Sequence, residues 1–383
     1  MSAPTLRAAE FFAGIGLVRL GLEAAGIGVA WANDIEPTKQ SLYTENFPDD
    51  DAHFVLADIA RVHGADIPDV DLATASFPCV DLSLAGWRRG LAGSHSGTFW
   101  HFTRVLDEMG ARRPRVVMLE NVVAFATSHG GLDLRAAVAD LNRLGYSVDA
   151  LVLDARRFVP QSRPRLFLVG AQHPPADALG GDSALRPAFL RAALDDPGLR
   201  THTAALPTPP ELLTSGLARV VEALPESDPR WWDADRVADL VASLSPVQAH
   251  RFAALRDRRA TSWRTAYRRT RDGRAVWEIR PDDVSGCLRT ARGGSSRQAL
   301  VRLGRGKVRV RWMTAREYAR LMGVADGYQF SSVSSNQALF GFGDAVCVPG
   351  ISWIARHYLR PLLSATATTP SVDLDRARVL VDA

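Results

Sequence analysis

The chain has 383 residues, of which 46% are hydrophobic and 23% charged, values typical of a globular protein with one large domain or two ordinary ones. It contains no run of about 18 apolar residues, and its N-terminus, MSAPTLRAAEFF, lacks the pattern of a secretion signal, so we predict a cytoplasmic protein. Cys79, Cys287 and Cys347 are widely spaced and form no CxxC pair, which disfavours a disulfide framework and a cysteine zinc site.

Positive charge is concentrated in one part of the chain. The net charge is +4, but residues 251–312 hold 18 Lys or Arg against 5 Asp or Glu, an excess of 13 that leaves −9 for the remainder. Trp263, Tyr267 and Trp277 lie among these arginines, a mixture typical of surfaces that bind nucleic acid. The alternative is a solvated basic surface in an arginine-rich chain, because Lys39 and Lys307 are its only lysines.

Short apolar segments alternate with helical stretches from residue 6 to about residue 171, which predicts a doubly wound α/β domain with a mostly parallel sheet. The predicted strands are, in chain order, AAEFF, GVAWAND, HFVLAD, VDLATASF, RVVMLEN, SVDALVLD and RLFLVGA. Between the predicted strands RVVMLEN and SVDALVLD, the segment LDLRAAVADLNRLG places Leu134, Val138 and Leu141 on one helical face. It ends at Gly145, a residue type that commonly terminates helices.

The composition changes near Pro174, where HPPADALGGDS, LPTPPELL and LPESDPRWW are rich in Pro, Asp and Gly. We therefore predict a first domain over residues 1–173, a smaller loop-rich domain over 174–302, a returning part of the first domain over 303–364, and a poorly ordered tail over 365–383. The returning part would begin with the strand KVRVRW and a capping box from Thr314 to Glu317. It would close with the apolar helix in DAVCVPGISWIARHYLRPLL.

The segment FFAGIGLVRLGLEAAG, residues 11–26, has the pattern of a strand, a glycine turn and a helix. Gly14 and Gly16 would let a ligand approach the backbone closely at the helix N-terminus. Arg19 occupies the position where a dinucleotide fingerprint needs its third glycine, which disfavours a nicotinamide site.

Two aspartates follow the next two predicted strands. Asp34 ends the second strand, where its carboxylate could accept hydrogen bonds from a ribose diol, and Asp58 ends the third, where it could accept from an adenine amino group. The alternative for each is a helix-cap or turn aspartate. Because carboxyl ends of parallel strands meet at one edge of a sheet, these residues and the glycine turn together favour an adenosyl ligand.

A cysteine and a glutamate follow the fourth and fifth strands at the same edge. Cys79 lies in SFPCVDLS and Glu120 in MLENVVAF. A lone cysteine can be a small apolar residue, but a glutamate directly after an apolar strand is costly unless it is paired or used. A thiolate and a carboxyl group beside an adenosyl pocket indicate covalent activation of a heteroaromatic ring followed by group transfer.

The ordered set FxGxG, NDIEP, DIA, FPCxxxS, LENV, QSRPR, TxxExxRLMG and GDAV resembles the DNA cytosine-5 methyltransferases of bacterial restriction–modification type. The resemblance covers nearly the whole chain apart from residues 174–280. It implies a Rossmann-like, S-adenosylmethionine-dependent catalytic domain with an inserted target-recognition domain. It also implies methyl transfer to carbon 5 of a flipped cytosine in a specific sequence of double-stranded DNA by a monomer, and it makes a cognate restriction endonuclease acting on the same site a candidate partner.

The resemblance also assigns catalytic roles. Cys79 matches the nucleophile that adds to carbon 6, and Glu120 matches the acid that holds ring nitrogen 3 and the exocyclic amine. Arg163 and Arg165 in QSRPRLFLVG match the arginines that grip the target cytosine and support the glutamate, a task that suits bidentate donors. A basic turn before a strand is the alternative for these arginines.

The cofactor pocket implied by the resemblance consists of Phe12, Ala13, Gly14, Ile15, Gly16, Asp34, Ile35, Asp58, Ile59, Pro78, Phe99, Asp344, Ala345 and Val346. The implied DNA-binding residues are Ser83, Arg88, Arg89, Arg289, Arg292, Arg297 and Gln298. The loop after Cys79, LAGWRRGLAGSHSG, is expected to close over a base that has been flipped out of the duplex.

Three positions depart from the family pattern: Leu17 stands where a second glycine is usual, Val80 where glutamine often follows the cysteine, and Asp344 where asparagine usually sits. A carboxylate at position 344 would repel the carboxylate at the methionine end of the cofactor, unless only its backbone contributes. Two alternative functions stay open, an RNA cytosine-5 methyltransferase and a DNA-binding homologue with weak catalysis.

Overall fold

The computed structural model describes residues 6–48, 53–78, 97–176, 184–271, 273–289 and 297–365. All seven strands predicted for the first domain are present. They are β1 (Leu6–Phe11), β2 (Ile27–Asp34), β3 (Phe54–Leu56), β4 (Leu72–Ala75), β5 (Val116–Val122), β6 (Ser147–Asp154) and β7 (Pro164–Ala171).

These strands form one sheet in the order β3-β2-β1-β4-β5-β7-β6. The pairs β1–β2, β1–β4, β2–β3 and β4–β5 are parallel, whereas β7 runs antiparallel to both β5 and β6. The prediction of a mostly parallel sheet is confirmed. Because β1 lies between β2 and β4, the strand order reverses there, and the carboxyl ends of β1 and β4 flank the crevice in which such sheets bind ligands.

Helices cover both faces of the sheet, which explains why its strands read as continuous apolar runs. The helix α1 (Leu17–Glu23) and the last helical elements of the chain, residues 348–365, pack on one face. The helices α3 (Thr98–Glu108) and α4 (Leu132–Arg143) pack on the other. The helix α2 (Pro37–Asn46) follows β2. As predicted, α4 buries Leu134, Val138 and Leu141.

A separate antiparallel sheet follows, so the middle of the chain contains more regular structure than the prediction of a loop-rich domain. Its strands are β8 (Ser262–Arg271), β9 (Arg274–Ile279), β10 (Ala299–Gly304) and β11 (Lys307–Trp312), and α6 (Ala234–Ala242) and α7 (Pro246–Arg256) pack against them. The strand order is β11-β10-β8-β9. Its own apolar cluster includes Leu240, Phe252, Val301, Leu303 and Val310. The helix α5 (Ala188–Leu194) comes earlier in the chain and packs with α4 in the first domain.

The predicted boundary at residue 302 falls inside this second sheet. The KVRVRW strand, predicted to belong to the first domain, is β11 and pairs antiparallel with β10. Gly304 lies opposite Lys307 at one end of this pairing, and Ala299 lies opposite Trp312 at the other. Arg305 and Gly306 connect the two strands with φ values of 57° and 73°. Positive φ at both central residues is the geometry of a tight type I′ hairpin, and this turn returns the chain to the same sheet.

The chain then returns to the first domain through α8 (Ala315–Leu321), α9 (Ser335–Asp344), α10 (Val348–Ile354) and α11 (Arg360–Ala365), with a π-helical turn at Ala355–Leu359. The predicted capping box at Thr314 and Glu317 is present. The stretch Ser335–Ser364 is long and apolar enough to cross a membrane, but 72% of its most apolar window is buried in the fold, as in the core helix of a globular protein.

A fully buried ion pair joins the second sheet to the returning segment. Arg311 donates from Nη1 to Glu317 Oε2 at 2.8 Å, and Glu317 Oε1 also accepts from the backbone N–H of Glu222 at 2.8 Å. Removing either partner of such a pair would leave a buried charge uncompensated. The pair therefore fixes the end of β11 against the start of α8.

One buried carboxyl group in β1 makes the stability of the fold depend on pH. Glu10 is 1% exposed, and burial raises its pKa to about 8, although the neighbouring Arg19 charge opposes the shift. In the unfolded chain the group titrates near 4.5, so between these values the folded protein holds a proton that the unfolded chain has lost. The stabilisation is full below about pH 4.5 and is lost as the pH rises through about 8.

Glu10→Gln is therefore expected to flatten the pH dependence of the free energy of unfolding, since glutamine carries no proton to lose. The wild-type slope that it removes is about 1.4 kcal/mol per pH unit. Urea unfolding at several pH values between 4.5 and 8 measures this slope. The exposed residue Glu211 supplies the control variant, Glu211→Gln, whose slope should equal that of the wild type; an unchanged slope in Glu10→Gln would show that another group titrates.

Candidate functional site

The turn between β1 and α1 has an unusual backbone that is fixed by its surroundings. Phe12, Gly14 and Gly16 have φ values of 57°, 58° and 80°. For Phe12 the left-handed conformation costs about 1–2 kcal/mol, and such strain is typical of ligand-binding turns. A side chain at Gly16 would come within 2.5 Å of the Phe47 ring, so this position requires glycine for space as well as for its backbone angle.

The carboxylate of Asp34 holds this turn in place. Its Oδ2 accepts a hydrogen bond from the backbone N–H of Gly14 at 2.9 Å, and its Oδ1 accepts from that of Glu36 at 3.0 Å. Each carboxylate oxygen can accept more than one hydrogen bond, so Asp34 can still bind a ligand hydroxyl. The next side chain, Ile35, is apolar yet 59% exposed, which provides a flat apolar surface at the same edge.

The other predicted cofactor residues divide into surface and supporting positions. Asp58 is exposed and accepts from the backbone N–H of Ala60 at 2.9 Å, so it caps the short helix that follows, as the alternative interpretation expected, and remains open to solvent. Pro78 is also exposed. Phe99 is fully buried, with its ring centroid 5.6 Å from that of Phe77, and supports this edge from inside the core. Ala13, Ile15, Ile59 and Val346 are buried, and Ala345 is half-buried.

Asp344, at the end of α9, lies at the same edge as Asp34. The ammonium group of Lys39 is 3.6 Å from Asp344 Oδ2 and 3.8 Å from Asp34 Oδ2. The Asp344 side chain is 41% exposed. The structure thus brings together the ends of β1, β2 and α9.

Glu120 and Arg165 form an ion pair on adjacent strands. Arg165 Nε lies 2.9 Å from Glu120 Oε1, and their side chains are 16% and 9% exposed. The antiparallel register places Arg165 opposite Val122, two residues from Glu120 on the same face of the sheet. Arg165 therefore compensates the negative charge of Glu120, whose burial at the end of an apolar strand would otherwise be unfavourable.

Arg163 is a buried junction between three parts of the fold. Its Nη1 donates to the carbonyl of Leu288 at 2.7 Å, and its Nη2 donates to those of Gly343 at 3.1 Å and Ala345 at 2.5 Å. Burial, helped by the nearby Arg165 charge, lowers the pKa of this guanidinium. Through these hydrogen bonds, Arg163 connects the start of β7 to the GDAV turn and to the segment that precedes β10.

Glu120, Arg163 and Arg165 line one small open cleft. Its other lining residues include Phe167, Val346 and Cys347. Burial raises the pKa of the Cys347 thiol to about 12, so Cys347 is a poor nucleophile in spite of its position.

Cys79, Val80, Ser83, Arg88, Arg89 and Arg292 lie outside the described residues. The chain approaches Cys79 from the carboxyl end of β4, next to β5 and Glu120. Asn121, in the LENV motif, donates from Nδ2 to the carbonyl of Phe77 at 3.3 Å. Asn121 therefore fixes the backbone two residues before Cys79.

The described part of the predicted DNA surface contains one exposed residue, Arg289. Arg297 packs over the Trp312 ring at 5.3 Å, and burial lowers its pKa. Gln298 is only 3% exposed and donates from Nε2 to the carbonyl of Cys287 at 3.3 Å. The structure therefore gives Gln298 a supporting position inside the second domain, away from any DNA surface.

The aromatic residues of the basic block are largely occupied by packing. Trp277 lies 5.7 Å from Trp312 and contributes to the core of the second sheet, and Trp263 stacks on Trp231 at 6.3 Å. Tyr267 donates to Glu278 at 2.9 Å. These rings fix the sheet that presents the arginines, so the aromatic content of the block is weaker evidence for nucleic acid than its charge.

Comparison with known proteins identifies the family. The model of the C-5 cytosine-specific DNA methylases matches residues 6–360. The chain belongs to this family. It is 33% identical over 168 residues to the Type II methyltransferase M.Bsp6I of Bacillus sp. (strain RFL6), a match that covers 43% of this chain and 52% of that protein.

A second relative of this chain is the Type II methyltransferase M.HhaI of Haemophilus parahaemolyticus, 34% identical over 165 residues that cover 43% of this chain and 48% of that protein. The matched region thus spans about half the length of these relatives. The crystal structure of the S. pombe Dnmt2 methyltransferase has the same fold, with a TM-score of 0.56 and 18% identity over 93% of this chain and 99% of that one.

Two residues that hold the surroundings of Arg163 were not among the predicted site residues. Gln161, fully buried, donates from Nε2 to the carbonyl of Leu321 at 2.7 Å and accepts at Oε1 from the backbone N–H of Leu288 at 3.1 Å. Cys287 Sγ lies 3.5 Å from Arg163 Nη1. Burial raises the Cys287 pKa, but the charges of Arg163 and Arg165 outweigh it, so the net shift is downward. Gln161 opens the QSRPR motif and was therefore detectable, whereas nothing in the sequence near Cys287 indicates its neighbours.

Proposed function

We propose that this chain transfers a methyl group from S-adenosylmethionine to carbon 5 of a flipped cytosine in a specific sequence of double-stranded DNA. The observation that carries the proposal is the Glu120–Arg165 pair, 2.9 Å apart, at the sheet edge from which the chain enters the segment containing Cys79. The family to which the chain belongs names the base and the atom that is modified.

The cofactor residues suit an adenosyl ligand. Asp34 would accept from the ribose hydroxyls, the exposed Ile35 would lie against the adenine, and Asp58 would accept from its amino group. The backbone of Gly14 and Gly16 would allow close approach. When bound, S-adenosylmethionine supplies an electrophilic methyl group. The other members of the proposed pocket are Phe12, Ala13, Ile15, Ile59, Pro78, Phe99, Asp344, Ala345 and Val346.

The chemistry of cytosine explains the proposed catalytic residues. Carbon 5 is a poor nucleophile, so the Cys79 thiolate forms a bond from Sγ to carbon 6, and ring electron density moves toward nitrogen 3, where Glu120 holds the base. After carbon 5 has gained the methyl group, loss of its proton and departure of the Cys79 thiolate restore the aromatic ring. Arg165 keeps Glu120 oriented, and Arg163 fixes the framework behind both residues.

Double-stranded DNA would bind across the second domain and the segment after Cys79. Phosphates are the expected partners of Ser83, Arg88, Arg89, Arg289 and Arg292, since backbone contacts position a protein on DNA. Arg297, packed on Trp312, would hold this surface in shape. A monomer in the cytoplasm suffices for this reaction, and a restriction endonuclease that reads the same site is the proposed biological partner.

The decisive experiment is to express the chain in a bacterial host that lacks cytosine methylation and to map 5-methylcytosine in its DNA at base resolution. We expect methylation in one short sequence context, absent from the host with an empty vector. Purified protein offered equal amounts of that duplex and of tRNA should methylate the duplex. Methylation of tRNA alone would establish the RNA alternative. DNA binding without binding of S-adenosylmethionine, and without methylation of either nucleic acid, would support the weakly catalytic DNA-binding alternative.

A further inference from the structure

Lys39 stands where a cation is locally unfavourable. It is the third residue of α2, whose preceding capping residue is Glu36. The positive end of the helix dipole disfavours a lysine in the first turn. The chain has only one other lysine, Lys307, so this position is not part of a generally lysine-rich surface.

Two carboxylates from distant parts of the chain compensate for this cost. Lys39 Nζ lies 3.8 Å from Asp34 Oδ2, at the end of β2, and 3.6 Å from Asp344 Oδ2, at the end of α9. The Lys39 side chain is 26% exposed, so it is partly shielded from solvent yet still open to it. One ammonium group therefore faces two of the three acidic members of the proposed cofactor pocket, Asp34 and Asp344.

The framework around Lys39 keeps α2 and the returning segment in register. Asn46 Oδ1 accepts from the backbone N–H of Gln329 at 2.7 Å, and its Nδ2 donates to the carbonyl of Gln329 at 2.8 Å. At the preceding position, Glu45 Oε1 accepts from the backbone N–H of Ser331 at 2.9 Å. These bonds join the far end of α2 to the segment that leads into α9, so the approach of Lys39 to Asp344 is built into the fold.

We propose that Lys39 is a cofactor-positioning residue whose ammonium neutralises Asp344 and so allows the carboxylate of the cofactor's methionine part to bind beside the end of α9. Without the Lys39 charge 3.6 Å away, the Asp344 carboxylate would repel an anionic ligand group more strongly, since like charges at such distances repel. The inference rests on the proposed use of S-adenosylmethionine. It also explains how the chain tolerates Asp344 at a position where a carboxylate would otherwise weaken binding.

Calorimetric titration without DNA tests the proposal with two ligands. S-adenosylhomocysteine carries the carboxylate, whereas 5′-methylthioadenosine keeps the adenosine and lacks the whole amino-acid part. Lys39→Ala should weaken binding of S-adenosylhomocysteine about five- to tenfold, the range of a modest ion-pair energy, and should change 5′-methylthioadenosine binding much less. Adding Asp344→Asn to Lys39→Ala should restore most of the lost affinity. Lys307→Ala, at the exposed start of β11, is the matched control and should bind both ligands as the wild type does.

The possible outcomes test the role of Lys39 separately from the proposed function on which it rests. Unchanged S-adenosylhomocysteine binding in Lys39→Ala, or an equal loss for both ligands that Asp344→Asn does not repair, overturns the role of Lys39. Wild-type protein that binds S-adenosylhomocysteine but leaves host DNA unmethylated overturns the proposed function, while the two-ligand comparison still decides the role of Lys39. Wild-type protein that binds neither ligand overturns both.

Discussion

Cys79→Ala is expected to abolish methyl transfer, by at least roughly 10⁴-fold, while binding of S-adenosylmethionine and DNA persists. Without the thiolate, carbon 6 receives no nucleophile and carbon 5 stays too poor in electron density to accept a methyl group. Transfer of labelled methyl groups to a duplex containing the mapped site measures the rate. Calorimetry and a DNA mobility assay on the same preparation show whether both ligands still bind.

Cys347→Ala is the matched control, because burial makes the Cys347 thiol a poor nucleophile although it lines the cleft beside Glu120. A duplex with 5-fluorocytosine at the target base adds a chemical readout, since fluorine leaves carbon 5 without a proton to lose after methyl transfer. The wild type and Cys347→Ala should become covalently linked to this duplex, and Cys79→Ala should not. Methyl transfer by Cys79→Ala at a rate near that of the wild type would assign the nucleophile elsewhere.

The sequence predicts the strands and the carboxyl edge of the first sheet well because their signals are local. Each strand of the first domain is a short apolar run, and Asp34, Cys79 and Glu120 each follow such a run within a few residues. Parallel strands then bring their carboxyl ends together without any knowledge of side-chain contacts. The glycine turn is visible for the same reason, since Gly16 supplies a conformation that few other residues adopt.

Contacts between distant segments cannot be predicted from such local sequence signals. The approach of Lys39 to Asp344 joins the second helix to the ninth, and the approach of Arg163 to Cys287 joins β7 to the second domain. Neither pair has a periodic or motif signal, because each depends on how two separately formed units pack. The predicted repulsion at Asp344 considered only the carboxylate of the cofactor, whereas the structure places the Lys39 ammonium 3.6 Å from Asp344 Oδ2.

The domain boundary was misplaced for a local reason. A hairpin with positive φ at both central residues usually has Asn-Gly or Asp-Gly at these two positions. Here the first of the two positions is Arg305. Arginine rarely adopts this conformation, so the RG pair between two apolar strands did not indicate a tight turn. The pairing of β10 with β11 accordingly became visible only in the structure.

Glu120→Gln is expected to lower the rate constant of methyl transfer by roughly 10²–10⁴-fold with little change in stability. Glutamine keeps an oxygen that can accept from Arg165 Nε, so the buried arginine retains a hydrogen-bond partner. What glutamine lacks is a carboxyl group that can exchange a proton with ring nitrogen 3 as the Cys79 thiolate adds. Single-turnover transfer with saturating DNA and S-adenosylmethionine isolates this chemical step from binding.

The result discriminates between a catalytic carboxyl group and a structural one. Glu211→Gln, the same substitution at an exposed position, should retain the wild-type rate. Glu120→Ala should also lose stability, because it leaves the largely buried Arg165 without its carboxylate, whereas Glu120→Gln should unfold within a few degrees of the wild type. If Glu120→Gln transfers methyl groups as fast as the wild type, the carboxyl proton is not used, and Glu120 serves only to hold Arg165 against the target base.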